Sequence, residues 1–136
     1  MKDTINPSAQ ALWKAVSYVA TEAGVTETEP KSEADWAALR KPADTLAKAG
    51  VMLSLPTLKI ANDKSRTPAY QYTPAEIEQL RQQEMSAWRD YSQRLQATTQ
   101  QLISAIDKRD LAAFIEQGAQ INQACEGCHG QFWYKP

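Results

Sequence analysis

Apolar residues recur at helical spacing over most of the chain, and four segments stand out. In the first, Ala9, Leu12, Trp13, Val16, Val19 and Ala20 share a face. This predicts a helix over about residues 7–23, with Asn6 as N-cap, Pro7 at the first helical position and Gly24 as the stop. The second segment follows Ser32, a good N-cap with Asp35 three residues later. Its inward face reads Trp36, Leu39, Ala43, Leu46, Ala47, Gly50 and Leu53. Pro42 falls inside this pattern, which predicts a kink or a short break. The third segment opens on "TPAE", where Thr73 and Glu76 form a capping box around Pro74. Its face runs through Ile77, Leu80, Glu84, Trp88, Tyr91, Leu95, Thr98 and Leu102, making it the longest helix. The fourth starts near Asp110 and turns Leu111, Phe114, Ile115, Gly118, Ile121, Asn122, Cys125 and His129 to one side.

Two of the connections are short, and the one from Pro56 to Thr73 is long. Amphipathic helices joined in this way predict an all-α fold, an antiparallel up-down-up-down four-helix bundle. In that topology the end of the fourth helix shares a pole with the start of the first, the end of the second, the start of the third and the long connection.

The chain has 136 residues, enough for one domain, spanning 1–136, with a core of its own. The formal net charge is −1, and without a basic excess nucleic acid is a poor general partner. No apolar run is long enough to span a membrane. The opening "MKDTINPSAQ" has no apolar h-region of a signal peptide, an absence also expected after cleavage.

The chemistry is concentrated near the end, in "CEGCHG". Cys125 and Cys128 are the only two cysteines, and His129 is the only histidine. The C-x-x-C-H spacing points to covalent c-type haem attachment. Two thiols at this spacing can add across the two vinyl groups of one porphyrin. The adjacent neutral imidazole can then ligate the iron. Four other readings stay open. A structural zinc site normally takes four ligands, and only three Cys and His are present. A redox dithiol normally sits at a helix N-terminus, whereas this pair closes a helix. A plain disulfide leaves His129 unexplained. A chance pentapeptide is the fourth.

A C-x-x-C-H closing the last helix of a four-helix bundle resembles cytochrome c′ and its relatives, the class II c-type cytochromes. The first half of the chain, from "NPSAQALWKAV" to "VMLSLP", is also similar to an N-terminal pattern in periplasmic cytochrome c′-like proteins. The resemblance implies one covalent haem c, with Cys125 and Cys128 as tethers and His129 as the proximal ligand. It implies a periplasmic location after loss of a signal peptide. In many cytochromes c′ a basic residue follows the haem histidine by four positions; here that place holds Trp133, and the nearest base is Lys135. The resemblance also sets the first helix opposite the haem, so that Leu12, Trp13 and Val16 form an apolar lid over an open sixth position.

The sixth position decides between functions. A filled site favours one-electron transfer, and an open site allows a diatomic gas to bind. With one histidine in the chain, methionine or lysine would have to fill it. Helical geometry points Met52 outward and puts Met85 on the flank of its helix. Met1 is expected to fall in a frayed tail. The leading expectation is electron transfer. The alternative is an NO- or CO-binding protein that buffers or senses. Weak peroxidase activity comes third, because no distal acid–base pair is visible.

Around the motif, Trp88 and Tyr91 are candidates to pack on the porphyrin, and Arg81 to pair with a propionate. Lys59, Lys64 and Arg66 against Asp63 make the haem pole basic. Glu22, Glu27, Glu29, Glu33 and Asp35 against Lys31 make the far pole acidic. This polarity predicts an acidic redox partner. The three aromatics of "FWYKP" are candidates to cover the proximal face or the porphyrin edge, which predicts an ordered tail, and exposed apolar groups on helices one and two suggest a homodimer interface.

Overall fold

The computed structural model of the chain describes residues 3–60 and 67–136. Among them are helices α1 (Ile5–Lys14), α2 (Glu33–Leu53), α3 (Pro74–Gln83), α4 (Met85–Lys108) and α5 (Leu111–Phe132), and strands β1 (Ser17–Thr21) and β2 (Gly24–Thr28). The fold is therefore mostly helical rather than all-α. α2 packs against both α1 and α4, α5 packs on α4, and α3 touches α4 and α5. Among the described residues no helix is long and apolar enough to cross a membrane.

Local chemistry explains most helix starts. At α2 the Asp35 amide donates to Ser32 Oγ (3.1 Å), and the Ser32 amide donates to Asp35 Oδ2 (2.8 Å). The backbone donors of Ser32 and Lys31 hold the Asp35 carboxyl below its ordinary pKa. Thr73 and Glu76 form the same box at α3, with Pro74 first in the helix. At α5 the Ala113 amide donates to Asp110 Oδ1 (3.0 Å).

The first helix departs from its prediction at both ends. It starts at Ile5 with Thr4 as N-cap, so Asn6 and Pro7 lie inside its first turn, where amides have no intrahelical partner. It stops at Lys14, and residues 17–28 form an antiparallel hairpin, with Ser17 opposite Thr28 and Thr21 opposite Gly24. The hairpin is rich in Tyr18, Val19, Thr21, Val25, Thr26 and Thr28, side chains that suit a pleated backbone. Gly24 takes φ +128° in the turn instead of capping a helix. Tyr18, Val19 and Val25 are exposed, so the helical spacing of Val16, Val19 and Ala20 does not become a buried face.

The helix breaks fall elsewhere than expected: no break occurs at Pro42, and one divides the expected third helix. α2 runs unbroken through Pro42. Leu39, Ala43 and Leu46 flank the proline and are all buried, and that packing outweighs one missing backbone bond. The predicted third helix is instead divided at Glu84 (φ −119°, ψ 42°) into α3 and α4. Glu84 occupied a core position in the periodic pattern, but it is exposed and accepts from Gln131 Nε2 (2.9 Å). The change of direction buries Arg81 and Trp88 in its place.

Side chains of α1, α2, α4 and α5 form the main core, including Leu12, Trp36, Leu46, Leu102, Ile106 and Phe114. Trp36 and Phe114 meet edge to face at 5.8 Å. A smaller cluster of Ile77, Trp88 and Phe132 lies near the end of α5, with Leu53, Tyr72, Tyr91 and Cys128 against it. The α2–α4 seam depends on a glycine. A Cβ on Gly50 would stand 2.9 Å from the backbone nitrogen of Gln96. Gly50→Ala is expected to destabilise the fold by about 1–3 kcal/mol, despite alanine's better helix propensity, because backbone cannot yield as a side chain can. A lowered urea midpoint at unchanged m-value checks this.

Candidate functional site at the end of the last helix

α5 carries the C-x-x-C-H motif into its last turns and continues to Phe132. Beyond it the chain folds back. The amides of Trp133 and Tyr134 both donate to the His129 carbonyl (2.9 and 3.0 Å). The Tyr72 amide then donates to the Trp133 carbonyl (2.8 Å), and the Lys135 amide to the Tyr70 carbonyl (3.0 Å). The tail is thus stitched to the end of the long connection, directly beside the motif.

A salt bridge reinforces the stitch: Lys135 Nζ lies 3.1 Å from Glu76 Oε1 and 5.6 Å from the centre of the Tyr72 ring. The Thr73 amide, then Lys135, then the Thr73 hydroxyl hold the Glu76 carboxyl down from 4.5 to about 2. A carboxylate with a depressed folded pKa adds stability above its unfolded value and loses it as pH falls through the folded one. The Glu76 contribution is therefore present above about pH 4.5 and fades towards pH 2. Glu76→Gln is expected to flatten the acid limb of melting temperature against pH in that window and to leave its shape above pH 6 unchanged.

His129 and Cys128 line a cavity of about 440 Å³. Phe132 and Trp133 continue the α5 wall, and Ala49, Met52 and Leu53 contribute the end of α2. Ile77 and Trp88 stand beside them, Thr4 and Ile5 come from the start of the chain, and Leu58, Lys59, Ile60, Gln71 and Tyr72 from the long connection. The wall is mainly apolar and aromatic. Trp88 is 6% exposed; its Nε1–H donates to the Leu53 carbonyl (2.8 Å) and its ring meets Phe132 edge to face at 5.0 Å. Trp133 stands edge to face with the His129 imidazole at 4.9 Å. Gly127 lets α5 approach α4, since a Cβ there would stand 2.9 Å from a ring carbon of Tyr91.

Burial lowers the His129 pKa against a weaker opposing pull from Glu126, which favours the neutral imidazole. Burial raises both thiols, Cys125 with help from Glu126, and Cys128 to about 11 with help from Cys125. A reactive dithiol needs the opposite shift. Both cysteines are free thiols. Among the described residues no three His, Cys, Asp or Glu side chains converge as an ion-holding group, so Cys125, Cys128 and His129 do not form the compact set of a zinc site.

The remaining sequence candidates divide. Trp88 is in the wall of the His129 cavity. Cys125 is outside it, half-buried against the main core one turn earlier. Leu12, Trp13 and Val16 do not cover His129. They line a second cavity of about 310 Å³ with Leu46, Leu102, Phe114 and Gly118. Gly118 precedes His129 by three turns of α5, roughly 16 Å of helix rise. The lid prediction fails because α1 ends at Lys14 and because its first residues, not its middle, reach the motif pole.

Arg81 is at this pole, with its guanidinium 6.0 Å from the centre of the Trp88 ring, but it does not line the cavity. It is 3% exposed, and its Nη2 and Nε donate to Glu78 (2.7 and 3.2 Å). The carbonyls of Leu55 and Pro56 take further donors at 3.4 Å. With most of its N–H groups engaged, it anchors the start of the long connection. Lys59 is the basic side chain that lines the cavity; Asp63, Lys64 and Arg66 lie outside the described residues. Met52 is 54% exposed, as its helical position predicts, yet it also borders the cavity. Met85 does not.

Sequence reasoning missed Ile5, Ile60 and Tyr72 as wall residues. They arrive through long-range packing and carry no local signal. Phe132 and Trp133 of the aromatic "FWYKP" tail do line the cavity. No protein-family model, curated protein or solved structure matches the chain.

Proposed function

We propose that this chain is a mono-haem c-type cytochrome, similar in plan to cytochrome c′, that carries one electron at a time. One observation carries the reading: the imidazole of a C-x-x-C-H motif and the neighbouring thiol open into a single aromatic-walled cavity. Its volume is ordinary for a bound cofactor. The donor set fits haem, because tethering a broad macrocycle asks for thiols spread along its edge rather than converging on one point. Cys128 supplies one thioether from inside the cavity, and Cys125, one turn earlier on the same helix, supplies the other. His129 is the proximal ligand.

When bound, haem provides a one-electron iron couple. The chain's own residues hold and shield it. Trp88, Phe132 and Trp133 exclude water. Trp133 packs on the imidazole where a basic residue is common in cytochrome c′, so no cation there polarises His129; Lys135 is engaged by Glu76. Lys59 at the cavity offers a cation to a propionate or to an acidic redox partner. In this reading α1, α2, the α3–α4 unit and α5 run up, down, up and down. The protein works in the periplasm, where thioether attachment takes place. Exposed apolar groups such as Val51 on α2 suit a homodimer through α1 and α2. The mainly apolar wall also supports a second reading, binding of NO or CO.

The test is expression alongside a bacterial haem-attachment system, followed by denaturing electrophoresis and haem staining. A stained band at the mass of the chain is expected. A colourless band that takes up no haem would reject the cytochrome reading.

A further inference from the structure

With Leu12, Trp13 and Val16 in a separate cavity, the distal side of a haem at His129 has to be built from the wall actually present. Met52, Cys128, His129, Lys59 and Tyr72 are its candidate iron ligands by chemistry. Cys128 is committed to a thioether and His129 to the proximal position. Lys59, as an ammonium, has no lone pair to give until it loses a proton, and Tyr72 ligates iron as a phenolate, which also requires loss of a proton. A thioether has no such requirement. Sulfur of this kind is a soft ligand, and with histidine it forms the ligand pair of electron-carrying cytochromes.

The placement of Met52 suits the task. Its neighbour Leu53 is fixed, because the carbonyl accepts from buried Trp88. The Ser54 and Leu55 amides close the end of α2 on the carbonyls of Val51 and Met52 (3.1 and 3.0 Å). The backbone is thus held, while the unbranched side chain remains 54% exposed and able to turn. Turning onto a macrocycle would take apolar surface out of water, which is favourable in itself.

We infer that Met52 supplies the second axial ligand to the haem iron held by His129, which makes the site six-coordinate. The inference rests on the cytochrome reading and specifies the distal side that reading leaves open. It departs from the open sixth position that the resemblance to cytochrome c′ implies. A filled position favours electron transfer over gas binding and raises the reduction potential relative to an open site.

The test compares optical spectra of the wild-type holoprotein, Met52→Leu and Met85→Leu, ferric and dithionite-reduced, with and without CO. Leucine nearly matches methionine in volume, and the site is largely exposed, so the fold should persist; circular dichroism melting checks this. The wild type is expected to be low-spin, with the weak long-wavelength ferric band of a thioether on iron. Met52→Leu should lose that band completely, become high-spin and show a CO shift of the ferrous Soret band. Met85→Leu should match the wild type. A high-spin wild type, or a thioether band that survives in Met52→Leu, would overturn the assignment. Haem staining is read independently of spin state. A chain that takes up no haem overturns the cytochrome reading and this assignment with it, whereas a stained, high-spin chain overturns the assignment alone.

Discussion

The double variant Cys125→Ala, Cys128→Ala is expected to carry no covalent haem and yet to remain a folded helical protein. Thioether attachment has no other thiol to use, because these are the only cysteines in the chain. Haem staining after denaturation should fall from a full band to background. The effect on the fold should be small. Both thiols are half-buried and make no disulfide, so each substitution removes one heavy atom from a partly packed place. That costs on the order of 1 kcal/mol per site. Each single variant should retain one attachment point and a fainter band. His129→Ala should separate the roles, keeping the stain while losing the proximal ligand and changing the spectrum. A double variant that stained as strongly as the wild type would show that these thiols are not the tethers.

Trp88→Ala is expected to be the most destabilising single change at the site, by about 3–5 kcal/mol. Three consequences add together. The buried indole leaves a void in the smaller core cluster. Phe132 loses its edge-to-face partner on α5. The Leu53 carbonyl loses its indole donor, so the end of α2 is no longer tied to α4. Trp88→Phe divides these terms. It keeps a ring near Phe132 but removes the N–H, for an expected loss of about 1–3 kcal/mol from the unpaired carbonyl and the smaller ring. Urea unfolding of the haem-free chain measures both variants without a contribution from bound cofactor. Near-equal losses for Ala and Phe would place the stabilisation in the hydrogen bond rather than in the ring.

The failures of the lid and of Arg81 share a cause. Helical periodicity says which side of a helix is apolar, not which cavity that side will meet. Leu12, Trp13 and Val16 do face inward, and the packing of α1 on α2 decides that they meet Phe114 and Gly118 instead of His129. Arg81 was read as a propionate-binding charge. The bend at Glu84 turns it inward, onto Glu78 and two loop carbonyls.

What the residues determined alone was whatever depends on neighbours within a few positions. The capping boxes of Ser32 with Asp35 and Thr73 with Glu76 are of this kind, as are the Asp110 cap and the buried face of Trp36, Leu39, Ala43 and Leu46. The C-x-x-C-H spacing, and its place on the last turns of a helix, belong with them. Tertiary structure decided the rest. Residues 17–28 satisfy a helical period and a strand composition equally, and the choice falls to a hairpin built around Gly24. The wall around His129 joins residues from the start of α1, the end of α2, the long connection and the C-terminal tail. No short-range pattern links those segments. Apolar burial is non-directional, so it brings distant residues together according to the shape of the whole core rather than their order in the chain.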